Sequence, residues 1–140
     1  MSVDSSPQNE PLIEAMRLLA RHRDDWHRKQ VYQEILRADL VVVLQRDLAD
    51  DAVLTVDDLV VADELGGRPS YLAFTDVGGI ERWHPDHDHY RVVQGVPFVL
   101  LLARGKPGSL LINRGGKVGG EVYGNEIDTM ARAVTGARAD

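Results

Sequence analysis

The sequence predicts a single α/β (α+β) domain, an N-terminal helix pair followed by a mixed β-sheet flanked by helices. Three observations carry this. Apolar residues recur at helical spacing through the first two segments, and from Leu40 the pattern changes to short runs of β-branched and apolar residues. After that, strand-like and helix-like stretches alternate, with no internal repeat and no linker that divides the chain. At 140 residues, one domain can bury a core of its own without staples.

Residues 1–8 read as a disordered polar tail, 9–136 as the domain and 137–140 as a second tail. Asn9 offers an N-cap oxygen, and Pro11 suits a first helical turn, where its missing N–H is not needed. Leu12, Ile13, Met16, Leu19 and Ala20 form one stripe. Asp24 and Asp25 interrupt it and can cap a second helix carrying Val31, Tyr32, Ile35 and Leu36, with Trp26 near the joint. Leu40 to Leu44 suits a strand buried on both faces. Asp47 to Asp51 reads as a loop, Leu54 to Val61 as a second strand, Gly66-Gly67 as a turn and Ser70 to Phe74 as a third strand. Thr75 or Asp76 can cap a short helix towards Trp83, although Gly78-Gly79 weakens its first turn. A brief strand follows at Tyr90 to Gln94. Next comes a buried helix from Val96 to Arg104, closed by Gly105 and Pro107, and then a strand at Ser109 to Ile112. Asn125 and Asp128 are spaced as a capping box for the last helix, whose apolar face is Ile127, Met130, Ala131 and Val134 and whose stop is Gly136. Trp26, Trp83, Phe74 and Phe98 read as core.

Composition excludes several functions. Hydrophobic residues make up 44% and charged residues 27%, and there is no Cys, so disulfides, thiolate zinc sites and cysteine nucleophiles drop out. A net charge of −6 argues against a nucleic-acid binder. No apolar run approaches the roughly 20 residues of a membrane helix, and Met1 to Pro7 has no secretory pattern, so a cytoplasmic location is expected. The charge is uneven: Asp39 to Glu64 holds eight acids against Arg46 alone, either a solvated face or a docking surface for a basic partner.

Two segments could carry chemistry. His84-Pro-Asp-His-Asp-His89 packs three of the five histidines into six residues. His84, His87 and His89 are suitable divalent-metal ligands, or else belong to an exposed polar loop. Arg104 to Gly120 holds four bases, six glycines and no acid. In its Asn113, Arg114, Gly115, Gly116 and Lys117, backbone N–H groups and cations could receive an anion near the positive end of the last helix; otherwise this is a flexible turn. The spacing matches neither a phosphate-binding P-loop nor a dinucleotide fingerprint. Asn113 closes a strand, where it can contact a ligand or cap its own turn. No Gly-x-Ser-x-Gly elbow exists, and the carboxylate pairs Asp57-Asp58 and Asp63-Glu64 would point to opposite faces of a strand, so no catalytic constellation is present.

Three segments, in this order and spacing, resemble the N-terminal domain of the SseB family. They are Ala73-Phe74-Thr75-Asp76 with Trp83, Ile112-Asn113 with Gly115-Gly116, and Glu121-Val122-Tyr123-Gly124-Asn125-Glu126. The family is named for enhanced serine sensitivity and is also labelled type III secretion system SseB. The resemblance implies a compact α/β bacterial domain of unestablished biochemical activity and supplies no catalytic residues. This chain departs from the family at Arg114, where Pro is usual, and at Gly78-Gly79, where a better helix former is usual. The expected function is a non-enzymatic regulatory or protein-interaction module whose partner is another protein or a second copy in a homodimer, with no nucleic acid and no membrane. The alternative is a protein that binds a small molecule, an anion or a divalent metal through the 84–89 and 115–120 loops; no other cofactor is implied.

Overall fold

A computed structural model describes residues 7–65, 68–105 and 108–139. The expected turn at Gly66-Gly67, most of the N-terminal tail and the stop at Pro107 lie outside the described residues. The chain opens with α1 (Glu10–His22) and α2 (Asp25–Arg37). Asp24 caps α2 as expected, its side chain accepting from the His27 N–H at 2.8 Å. Asn9 does not cap α1 with its side chain. Pro11 occupies the second helical position and has no N–H to offer, so the Asn9 amide turns elsewhere. It donates to the Asp39 carbonyl at 2.7 Å and the Thr75 carbonyl at 2.8 Å, pinning the start of α1 to the sheet.

The strands are β1 (Asp39–Val43), β2 (Val61–Leu65), β3 (Arg68–Phe74), β4 (Tyr90–Gln94), β5 (Ser109–Ile112) and β6 (Gly120–Val122). They form one sheet in the order β4-β1-β3-β5-β6, with β2 pairing beside β3. Only β3 and β5 run parallel; the other pairs are antiparallel, so the sheet is mixed. The remaining helices are α3 (Gly78–Trp83), α4 (Gly95–Arg104) and α5 (Gly124–Ala139).

Strand alternation divides the core in two. Leu40, Val42, Tyr71, Ala73, Leu110 and Ile112 face α1, α2, α4 and α5 and pack with Met16, Ile35, Phe98, Leu102 and Met130. Val41, Val43, Leu72 and Phe74 face the other way, onto Ile80 of α3 with Trp83 at the margin. The run from Leu40 to Leu44 is buried throughout, because β1 lies between β4 and β3 with layers on both sides.

Four expectations are corrected. The segment from Leu54 is not a strand: Thr55 and Asp58 form a capping box around a single 3₁₀ turn at Val56–Asp58, and β2 begins only at Val61. Strand β6 was not anticipated; three residues without a strong apolar pattern pair with β5. Helix α5 starts at Gly124 and runs through Gly136 to Ala139, across most of the expected second tail. Trp26 is 64% exposed rather than core, its ring edge-on to His27, which stacks on His22 at 4.3 Å. No helix among the described residues is long and apolar enough to cross a membrane.

Candidate functional site

At the C-terminal ends of the parallel pair, Thr75 and Asn113 grip each other. Asn113 adopts a left-handed conformation (φ 59°). Its Oδ1 accepts from the Thr75 N–H at 2.9 Å, and its Nδ2 donates to Thr75 Oγ1 and to the Val118 carbonyl, each at 3.0 Å. Its own N–H donates to the Ala73 carbonyl at 2.9 Å. Asn113 is thus a buried clamp between β3, β5 and the following loop, with both side-chain polar atoms engaged. Asn113→Ala is expected to lower stability by about 2 kcal/mol, by stranding the buried Thr75 N–H and straining the backbone. Asn113→Gly, which relieves the strain alone, should recover about 1 kcal/mol of that in chemical denaturation.

Arg114, Gly115, Gly116 and Lys117 form the turn between β5 and β6, with Gly115 at φ 86°. Arg114 and Gly116 border an open hollow of about 450 Å³. The positive end of α5 does not reach this turn. Strand β6 carries the chain back along β5, its three residues spanning about 10 Å, before the helix starts. The glycine-rich loop and the helix terminus therefore sit at opposite ends of β5.

The histidines lie in the turn between α3 and β4. His87 Nε2 donates to the Leu44 carbonyl at 2.8 Å and to the His89 carbonyl at 3.1 Å, closing the turn over the β1–β4 pair. Ring centroids of His84 and His87 are 6.3 Å apart, and those of His87 and His89 5.9 Å, both edge to face. Trp83 packs against His84, His87 and Phe74. The three imidazoles form a chain of ring contacts rather than a shell around one point, and no cluster of three His, Asp or Glu among the described residues is placed to hold a metal ion.

Arg28 and Tyr32 on α2 and Glu126 on α5 form a cluster that pattern reading missed. Glu126 is buried. Its Oε2 accepts from Arg28 Nη1 at 2.8 Å and from the Tyr32 hydroxyl, and its Oε1 accepts from the Tyr123 N–H at 2.9 Å. That last bond makes Tyr123 the N-cap of α5 and Glu126 its third residue, so the expected box at Asn125 and Asp128 is displaced by two residues. Burial alone would raise the Glu126 carboxyl, but the Tyr123 amide, the Tyr32 hydroxyl and Arg28 outweigh it and hold the group below its ordinary value. Burial and the adjoining carboxylate push Tyr32 up to about 12. The signal for the cluster was Tyr32 itself, because a tyrosine on an apolar stripe carries a hydroxyl that needs a partner.

Of the motif residues, Phe74, Thr75, Ile112, Asn113 and Glu126 are buried in these structural roles. Tyr123 and Asn125 are different: both are exposed, Tyr123 by 54%, and both line a cleft of about 660 Å³. Tyr71, Leu102 and Ile127 form its floor, and Arg68, Glu121 and Asp128 add charges of both signs. Within it the Ser70 and Ser109 hydroxyls lie 3.2 Å apart. The cleft thus opens where the first turn of α5 crosses the N-terminal ends of β3 and β5.

Residues 12–129 match the family model described as SseB protein N-terminal domain. No curated protein and no solved structure matches the chain. The match covers most of the sequence and includes all three motif segments, so this chain belongs to the SseB family through its N-terminal domain.

Proposed function

We propose that this domain is a protein-interaction module that works by binding, and that it receives a segment of a partner protein in the cleft under the first turn of α5. One observation carries the reading. Tyr123 is a motif residue whose side chain stands exposed and lines the cleft of about 660 Å³. An aromatic ring beside an apolar floor, with charged groups at the rim, is the composition of an interaction hot spot. The exposed acids Asp47, Asp50, Asp51 and Asp57 supply a second, negatively charged surface that suits a basic region of a partner. Asp58 does not contribute to it, because it is buried and bonded to Thr55 and Arg46.

The test compares capture of partners from cells that express the protein by the wild type, Tyr123→Ala and Asn125→Ala, with thermal unfolding as a folding control. Truncating a hot-spot tyrosine should weaken the specific complex at least about tenfold. Both exposed positions should leave the melting midpoint nearly unchanged. Equal capture by all three proteins would remove the cleft from the interaction.

A further inference from the structure

The sheet has an open edge on the side away from this cleft. Among the described residues strand β4 is outermost and pairs with β1 alone, in the register Asp39 with Gln94, Val41 with Val92 and Val43 with Tyr90. Two flanking bonds fix which backbone groups point inward. The Leu44 N–H donates to the His89 carbonyl at 2.9 Å, and the Gly95 N–H to the Ala38 carbonyl at 2.8 Å. Antiparallel ladders alternate between bonded and non-bonded pairs. Arg91 and Val93 therefore exchange bonds with β1, while the N–H and C=O groups of Tyr90 and Val92 and the N–H of Gln94 turn outward. Both sides of this edge carry apolar side chains, with Gln94 and Arg104 among them at the groove. Tyr90 and Val92 are 43% and 41% exposed on the α3 face. On the opposite face Leu54, Val93, Pro97 and Leu101 border a groove of about 330 Å³ along α4. The strand contains no Pro and no Lys, its pairing with β1 is unbroken by a bulge, and its one charged side chain, Arg91, is turned to the chain's own loop carbonyls.

We infer that a second copy of this chain pairs antiparallel along β4, on a two-fold axis through Val92. The strand is self-complementary in that register and in no other that uses its whole length. Val92 lies opposite its own copy, and the two exchange a pair of main-chain hydrogen bonds. Tyr90 lies opposite Gln94 of the second copy at each end, where the Gln94 N–H donates to the Tyr90 carbonyl. The single charge of the strand, Arg91, falls opposite Val93, so like charges do not meet. Its guanidinium is already held by the Ala52 carbonyl at 2.8 Å and by the Ala49 carbonyl. A two-fold axis normal to the sheet keeps the helices of both copies on one side, so the exposed Tyr90 and Val92 of each extend one apolar face and the two α4 grooves are brought together on the other. The cleft lined by Tyr123 lies across β3, β5 and β6 and stays open in the pair.

The absence of cysteine gives a direct test of the register. In the dimer the two Val92 Cα atoms stand about 5.5 Å apart, within disulfide reach, whereas the two Tyr90 positions are separated by about 13 Å. Val92→Cys should therefore form covalent dimers on mild oxidation at least about tenfold faster than Tyr90→Cys. Sedimentation velocity of the wild type from low micromolar to near-millimolar concentration should show a monomer–dimer equilibrium. Val92→Lys should raise its dissociation constant at least about tenfold while leaving the circular-dichroism melt and the Tyr123-dependent capture unchanged. A wild type that stays monomeric at every concentration overturns the proposal. So does a dimer in which Val92→Cys and Tyr90→Cys cross-link equally, or one that survives Val92→Lys.

Discussion

Replacing Glu126 with alanine is expected to lower stability by about 3 kcal/mol and the thermal midpoint by about 10 °C. The carboxylate is buried and accepts from three donors on two elements: Arg28 and Tyr32 on α2, and the backbone amide that starts α5. Removing it leaves the half-buried Tyr32 hydroxyl without its acceptor, uncaps the helix and separates Arg28 from its counter-charge. Arg28 retains partial solvent access, which keeps the loss at the lower end for a broken buried pair. Tyr32→Phe removes one donor and should lose about 1 kcal/mol. The pH dependence has a definite sign. Glu126 is held below 4.5, so its contribution is present above that pH and is lost as pH falls through the lower folded value. Asp58 acts the same way below 3.8, held down chiefly by the Thr55 amide. Tyr32 is raised from 10.0 to about 12, so its contribution is present below 10 and is lost as pH rises towards 12. Stability should thus be level between about pH 5 and pH 10, and Glu126→Ala should make both limbs shallower: it removes one of the two acid-limb carboxylates and the partner that, after burial, raises Tyr32. Guanidinium denaturation extended below pH 4.5 and up to about pH 12 measures both limbs. Unchanged limbs in the variant would show that the cluster does not link α2 to α5.

Much of the architecture was legible because it rests on local rules. The Asp24 cap, the run from Leu40 to Leu44 and the helical stripe from Leu12 to Met16 each repeat a short-range pattern that the fold uses as it stands. Where reading failed, a polar side chain had two possible partners. Asn9 could bond its own helix or the ends of β1 and β3; with Pro11 in the way, the sheet won. Thr55 and Asp58 were masked by the apolar residues around them, which suggested a strand, although the box spacing was present. Strand β6 has no pattern of its own and forms because β5 offers an edge. That single omission moved the start of α5 from the glycine-rich turn to the far end of the sheet, and the candidate site moved with it. The cleft needed Ser70, Ser109 and Tyr123 brought together from separated segments. No spacing in the sequence encodes that meeting.

Gly95→Ala is expected to be at least as damaging, lowering stability by at least about 3 kcal/mol or preventing folding. Gly95 joins β4 to α4 where the chain crosses the end of α2. A Cβ built there would lie 1.8 Å from the Ile35 carbonyl oxygen, 2.9 Å from its carbon and 3.0 Å from the Leu36 carbonyl carbon. These are backbone atoms, so no side-chain rotation relieves the clash. Nor can either segment withdraw freely: Ile35 is fully buried and its carbonyl accepts from Ala38, while the Gly95 N–H is bonded to the Ala38 carbonyl. Gly120→Ala is the matched control. Its Cβ would meet only the Met16 sulfur at 3.9 Å, and the change should stay within about 0.5 kcal/mol. Thermal unfolding of the two variants separates a close backbone crossing from a general loss of glycine. The consequence reaches the candidate site, because α2 stands between the two. Wedging α4 away from Ile35 shifts the helix that carries Arg28 and Tyr32, and these hold Glu126 and through it the Tyr123 amide. A folded but weakened Gly95→Ala protein should therefore also lose part of its Tyr123-dependent binding, although residue 95 lies outside the cleft. Full binding in a destabilised Gly95→Ala protein would show that the first turn of α5 is set by the sheet alone.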